Sequence, residues 1–151
     1  VHRIPARLLP LVLFILLSAA CARSAPVPQS APGGPAPSAS VERFMRLAAE
    51  KNYAEMGWVF GTAEGSVYRR DKAADVERRM YALGSVLRHD RFEIRDEAQV
   101  PGRAGGAVRM TVRLTDGPRQ HSVPITTVRG PDGRWFVEAV DVEAVTGASR
   151  R

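Results

Sequence analysis

The chain has 151 residues, with 22 Lys or Arg against 16 Asp or Glu and a pI near 10.4, a balance that first points to a polyanion as partner. The excess cations lie at the ends: residues 41–145 hold 17 basic and 16 acidic side chains, too even a balance to form the footprint of a nucleic-acid binder. A single cysteine, Cys21, excludes an internal disulfide and a cysteine metal site, and no metal or cofactor motif is present.

Arg3 and Arg7 precede an apolar run, Leu8 to Leu17, which passes into Ser18-Ala19-Ala20-Cys21. A positive flank, a short apolar stretch and small residues before a cut are the parts of an export signal. The run is broken by Pro10 and falls short of the roughly 20 apolar residues that a spanning helix needs. Residues 1–20 are therefore expected to be a signal peptide. Ser18-Ala19-Ala20-Cys21 resembles the lipobox of bacterial lipoproteins, with Ser18 where Leu is favoured. That resemblance implies a diacylglyceryl thioether on Cys21, cleavage before it, and acylation (palmitate, for example) of the new amino terminus. Two acyl chains suffice for stable anchoring. Ala22 after the cysteine implies the outer membrane of the cell envelope, facing the periplasm. The alternative is a secreted protein cut near Ala20.

Residues 21–40 are rich in Pro, Ala and Ser, a composition expected to form a disordered tether. Extended, its 19 residues after Cys21 would reach roughly 60 Å. About 105 residues remain, 41–145, enough for one core. Residues 146–151 read as a disordered tail.

Ser40 can cap a helix whose apolar face is Val41, Phe44, Met45 and Ala48, with Asn52 near its end. A short second helix is predicted from Tyr53 to Phe60, stopped by Gly61. Asp71 or Asp75 opens a third, with Val76, Met80, Leu83 and Leu87 on one stripe. The period then changes to two. Phe92 and Ile94 mark one strand, and Val108, Met110, Val112 and Leu114 a second. Asp116-Gly117-Pro118 turns into a third, with His121, Val123, Ile125 and Thr127 on one face. Pro124, without a ladder donor, predicts an edge or bulge there. Gly130-Pro131-Asp132-Gly133 turns into a last strand, Arg134 to Val145, with a parity slip near Ala139 that predicts a bulge. The fold class is thus α+β, with N-terminal helices packed on a four-stranded antiparallel sheet.

Residues 41–145 resemble the nuclear transport factor 2-like superfamily, through this element order and through the segments Phe44 to Ala49 and Tyr53 to Thr62. The resemblance implies a curved, cone-like sheet and, in active members, an ionisable group inside the cone acting on a small hydrophobic molecule. Fold likeness alone assigns no function. The face Val108-Met110-Val112-Leu114 carries no such group, and no catalytic residue is assigned. His121 shares parity with Val123 and Ile125 and is the catalytic candidate if the domain is an enzyme. His89-Asp90 falls at a helix-to-strand junction, where a histidine meets the helix dipole and an aspartate suits a turn. Tyr53, Trp58, Phe60, Tyr81, Met110, Val112 and His121 are the expected pocket-lining residues.

Three roles stay open. The first is a membrane-anchored, non-catalytic module binding an envelope protein or a small apolar ligand. The second is a small-molecule enzyme using His121. The third is a structural or assembly lipoprotein with a filled cone.

Overall fold

Pro37 begins the first helix, α1 (Pro37–Ala49), four residues before the expected start. Its fixed φ suits the first turn, where its missing N–H leaves no hydrogen bond unmade. Ser40 is therefore not the cap: it lies within the helix, and its hydroxyl donates to the Pro37 carbonyl at 2.7 Å. Val41, Phe44, Met45 and Ala48 are buried as one face. Lys51, in the left-handed region (φ 56°), turns the chain, and Asn52 caps α2 (Tyr53–Val59) by accepting from the Glu55 N–H at 3.3 Å. The computed structural model describes residues 25–147; the leader, Cys21 and residues 148–151 lie outside the described residues.

Between α2 and the third helix the chain forms a small hairpin that period alone did not announce. Its strands are β1 (Gly61–Thr62) and β2 (Gly65–Ser66), followed by a single 3-10 turn over Val67–Arg69. Gly61 is required there, because a Cβ on it would stand 2.2 Å from the Gly65 carbonyl oxygen. The third helix, α3 (Ala73–Val86), opens after Lys72 without a side-chain cap; neither Asp71 nor Asp75 fills that place. Asp75 lies in its first turn, where its charge suits the positive end of the dipole.

Four strands follow as an antiparallel meander: β3 (Arg91–Gln99), β4 (Ala107–Asp116), β5 (Arg119–Arg129) and β6 (Trp135–Val140), paired in that order. The chain is thus an α+β domain with a four-stranded antiparallel sheet. Val108, Met110, Val112, Leu114, Val123, Ile125 and Val137 form one buried cluster with Phe44, Met45, Met56, Val59, Val76, Met80 and Leu87 from the helical half. Each such side chain contributes about 1.5–3 kcal/mol of burial.

The pairing of β5 with β6 shifts between Thr126 and Thr127, which face Ala139 and Val137, so the bulge falls at Glu138 beside the expected position. A second shift, between Ile94 and Asp96, bends β3. Pro124 pairs with Thr111 inside the sheet, but β6 pairs with β5 only from Ile125 onward. The prolyl nitrogen therefore sits where no donor is demanded. The last strand ends at Val140, short of the expected Val145. Asp141 instead accepts from the Ala144 N–H at 3.4 Å, just ahead of the single-turn helix α4 (Glu143–Thr146).

The described part of the expected tether is held against the domain. Gly34 and Trp135 form an antiparallel bridge, with Gly34 N–H to Trp135 O at 2.7 Å and Trp135 N–H to Gly34 O at 2.8 Å. The Gly33 N–H reaches the Trp58 carbonyl at 2.9 Å, and Phe60 forms a parallel bridge with Val137. These two bridges cover the free side of β6, an edge that would otherwise invite pairing with another chain. Residues 26–36 are a strap on the domain, and the ordered unit starts well before the expected Val41. The physical reason is that the strap contributes backbone amides and carbonyls to these contacts, and a side-chain pattern does not announce those.

Candidate functional site

The strap is fixed by four side chains from the domain. The Arg43 guanidinium donates to the carbonyls of Ala31 (2.6 Å) and Gly33 (2.9 Å), and to Glu55 at 3.0 Å. Arg134 donates to the carbonyls of Pro32 and Gly33, both at 2.9 Å. Glu55 accepts from the Gln29 N–H at 2.8 Å, and the Trp58 indole N–H donates to the Pro26 carbonyl at 3.0 Å. Glu55 is the one charged residue buried among the described residues, at 4% exposure, and Arg43 and Gln29 occupy its two carboxylate oxygens. No buried side-chain polar atom among the described residues lacks a partner.

A cleft of about 350 Å³ opens beside the strap. Ala31, Pro32, Trp58, Pro131 and Phe136 give it apolar walls, and Arg69 and Asp132 bring charge to it. The walls are placed by local chemistry. Ser66 donates to the Gly57 carbonyl at 2.7 Å and accepts from the Tyr68 N–H at 3.3 Å, which fixes the turn carrying Arg69. Asp132 (φ 57°) and Gly133 (φ 70°) make the tight reversal between β5 and β6. The Ser66 hydroxyl is thus engaged with the backbone, and no histidine borders the cleft, so it has the parts of a binding surface and no nucleophile with its base.

Of the seven expected lining residues, Trp58 alone borders this cleft. Trp58 packs on Tyr68 with ring centres 4.7 Å apart, and Phe60 on Phe44 at 6.0 Å. Tyr53 meets Tyr81 edge-on at 5.4 Å on the α2–α3 surface, where Tyr81 is 60% exposed. Met110 and Val112 have no exposed surface and belong to the core cluster. His121 is half-buried, opposite Leu114 near the start of β5, and apart from the cleft. The seven do not converge on one site.

A second groove, about 610 Å³ and wide open, runs between α1 and the start of β3, past Glu42, Arg46, His89, Asp90 and Phe92. In it the His89 Nδ1 lies 2.7 Å from the Leu87 carbonyl, and its ring meets Phe92 edge-on at 5.5 Å. Asp90 accepts from the Gly117 N–H at 2.8 Å, and its own N–H donates to the Thr115 carbonyl. The adjacent pair therefore serves the backbone in two directions, tying α3 to the β4–β5 turn.

Arg43, Glu55 and Arg134 are the strap-holding side chains that pattern reading passes over. One signal existed: Glu55 interrupts the otherwise apolar run Ala54-Met56-Gly57-Trp58. Tyr68, whose hydroxyl donates to the Ala54 carbonyl at 3.1 Å, has its pKa pushed up to about 12, first by burial and then by the charges of Glu77 and Glu55. Among the described residues no cluster of His, Cys, Asp or Glu is placed to hold a metal ion, and no helix is long and apolar enough to cross a membrane. Compared with the models of known families and with curated proteins, the chain matches none.

Proposed function

We propose that this chain is a lipid-anchored protein of a bacterial envelope whose domain is a non-catalytic interaction module, using its outer surface and not an interior pocket. The single observation that carries the reading is the filling of the space between helices and sheet, which leaves the outer surface to do the binding and which the structural or assembly role expects equally. Met110, Val112, Val123 and Ile125, the residues an interior site would expose, are fully buried against Met45, Met56 and Met80. A buried face without ionisable groups offers nothing for acid–base chemistry. The cone-like reading of the domain belongs to the same proposal and is supported by the helix-then-meander order and by the two bulges that bend the sheet. A small apolar ligand, if there is one, has the cleft of about 350 Å³ beside the strap, near the lower end of the sizes such sites have. The partner classes are an envelope protein and the membrane itself; the even charge of the domain disfavours nucleic acid.

The anchor is tested by fractionating cells that express the Cys21→Ser variant. The wild-type chain is expected in the membrane pellet at the mass of a processed, acylated protein, and the variant in the soluble fraction. A variant that still pellets with membranes at the normal processed mass sinks the reading. The interaction role is tested by capture from envelope extracts, in which a wild-type domain retains a partner that Tyr81→Asp or Arg69→Glu variants lose.

A further inference from the structure

We infer that the strap holds the Trp58 face of the domain against the phospholipid surface carrying the anchor; this rests on the proposal that Cys21 is acylated. The fixed point of the strap nearest Cys21 is Pro26, whose carbonyl accepts the Trp58 indole N–H at 3.0 Å. Gln29, Ala31, Pro32, Gly33 and Gly34 are each bonded further along. Five residue steps separate Cys21 from Pro26, and even fully extended they span only about 18 Å. A domain of this size has a radius of gyration near 13–14 Å, hence a diameter of about 35 Å. While the strap stays docked, the far side of the domain cannot turn to the bilayer; only the half of the domain around Pro26 and Trp58 can.

The composition of that side suits the position. Val27, next to Pro26, is 87% exposed, the most exposed large apolar side chain among the described residues. Arg69, beside Trp58 in the cleft, and Arg70 after it are both exposed. Val27 follows the residue that Trp58 holds, Arg69 shares the cleft with Trp58 and Asp132, and Arg70 pairs with Asp71 at 3.6 Å. An exposed apolar side chain next to an indole contact, with a guanidinium on the neighbouring cleft, is matched to a headgroup layer, where an indole sits at the boundary and a guanidinium meets phosphate. The roughly 60 Å stalk that composition suggests is therefore reduced to a short leash, and reach is regained only when the strap detaches.

The test uses the acylated full chain with Trp135→Phe, which leaves Trp58 as the single tryptophan. The chain is reconstituted in vesicles of phosphatidylethanolamine and phosphatidylglycerol doped with a dansyl-headgroup lipid. Energy transfer from Trp58 to dansyl is expected to be strong, and to fall severalfold when a Gly/Ser segment of about 20 residues is inserted between Ser24 and Ala25. Val27→Glu, a change at an exposed position, is expected to lower it as well. Equal transfer with and without the insertion overturns the inference while leaving the anchor intact. Failure of the wild-type chain to float with the vesicles overturns the anchor, and this inference with it. If Trp135→Phe does not fold, the same insertion is read on the chain that keeps both tryptophans.

Discussion

The Arg43 guanidinium and the Glu55 carboxylate lie 3.0 Å apart with side-chain exposures of 14% and 6%, and together they join α1, α2 and the strap. Neither group is there for the pair alone. Arg43 spends its other donors on the Ala31 and Gly33 carbonyls, and Glu55 its other oxygen on the Gln29 N–H. A buried pair breaks even against its desolvation only when its remaining donors and acceptors are filled. Here the strap fills them, so anchoring the strap and stabilising the helical half are one structural act.

Glu55→Ala should therefore cost about 3–5 kcal/mol, because it leaves a nearly buried guanidinium without its counter-charge. Glu42→Ala, exposed on α1 next to Arg43, should change stability by no more than about 0.5 kcal/mol. Urea denaturation of the two variants beside the wild type measures both. A loss below about 1 kcal/mol at Glu55 would mean that water or the strap carbonyls satisfy Arg43 unaided. Limited proteolysis should also cut the Glu55→Ala chain within residues 26–34 faster than the wild type, since the Gln29 contact is gone.

Removing the strap tests whether it belongs to the domain. A chain starting at Pro37 loses both hydrogen bonds of the Gly34–Trp135 bridge, the Trp58 and Arg134 contacts, and the Gly34 part of the cover over the β6 edge, while the Phe60–Val137 bridge stays. Freed backbone entropy returns about 1–2 kcal/mol per residue, so the net loss is far smaller than the number of bonds suggests. A loss of about 2 kcal/mol is expected, or roughly 10 °C in Tm relative to a chain starting at Ala25. The shortened chain should also self-associate at high concentration through the freed Trp135 end of β6, as light scattering would register. Equal melting temperatures and no association would make the strap a passive linker.

How much of this could be read in advance depends on which part of the chain does the work. Val108, Met110, Val112 and Leu114 alternate with polar residues, and β4 is a strand with that face buried. The stripe through Val76, Met80 and Leu87 is the buried side of α3. The Ala139 parity slip marks a real register shift and Pro124 the place where β6 stops pairing, without the bulge, because each follows from backbone geometry. The strap could not be read the same way. Its contacts are made by carbonyls and amides of Pro-, Ala- and Gly-rich sequence, which looks identical whether docked or free. Two-residue strands such as β1 and β2 have no period to detect. Beyond Val140, Val142 and Val145 fit strand and helix equally, and the short α4 forms. The expected lining residues scattered for a related reason: parity places Met110 and Val112 inward, but a filled core and a cavity wall share one pattern.

Gly61 offers a sharper test of the hairpin that the sequence hid. A Cβ there meets the Gly65 carbonyl carbon at 2.8 Å as well as its oxygen at 2.2 Å, and both belong to backbone that cannot swing away. Gly61→Ala should cost about 1–3 kcal/mol through overpacking. It should also displace the turn that carries Arg69, altering the cleft. Gly117→Ala has open space around its Cβ but φ 57°, so it should lose only about 1 kcal/mol, from backbone strain alone. Thermal denaturation of both variants ranks them; an order with Gly117→Ala the worse would show that β1 and β2 open readily.

Tyr68 contributes to the loss of stability at alkaline pH. Its folded pKa of about 12 stands above the ordinary 10.0, because burial and then the charges of Glu77 and Glu55 oppose the phenolate. A group raised in the folded state contributes its stability fully below the unfolded value, and loses it as pH climbs through the folded one. Between about pH 10 and pH 12 the unfolded chain gives up the Tyr68 proton while the folded chain keeps it, so unfolding becomes easier over that window, by about 1–2 kcal/mol once solvent screening of the hydroxyl is allowed for. Other tyrosines and lysines titrate there too, so the measurement is a difference. Tyr68→Phe should cost about 1 kcal/mol at pH 7 through loss of the bond to the Ala54 carbonyl. The variant should then decline less steeply than the wild type above pH 10, and the two curves should converge or cross before pH 12. Parallel curves across that range would mean that the hydroxyl reaches water as easily in the folded chain as in the unfolded one, and that the Trp58–Tyr68 contact does not shield it.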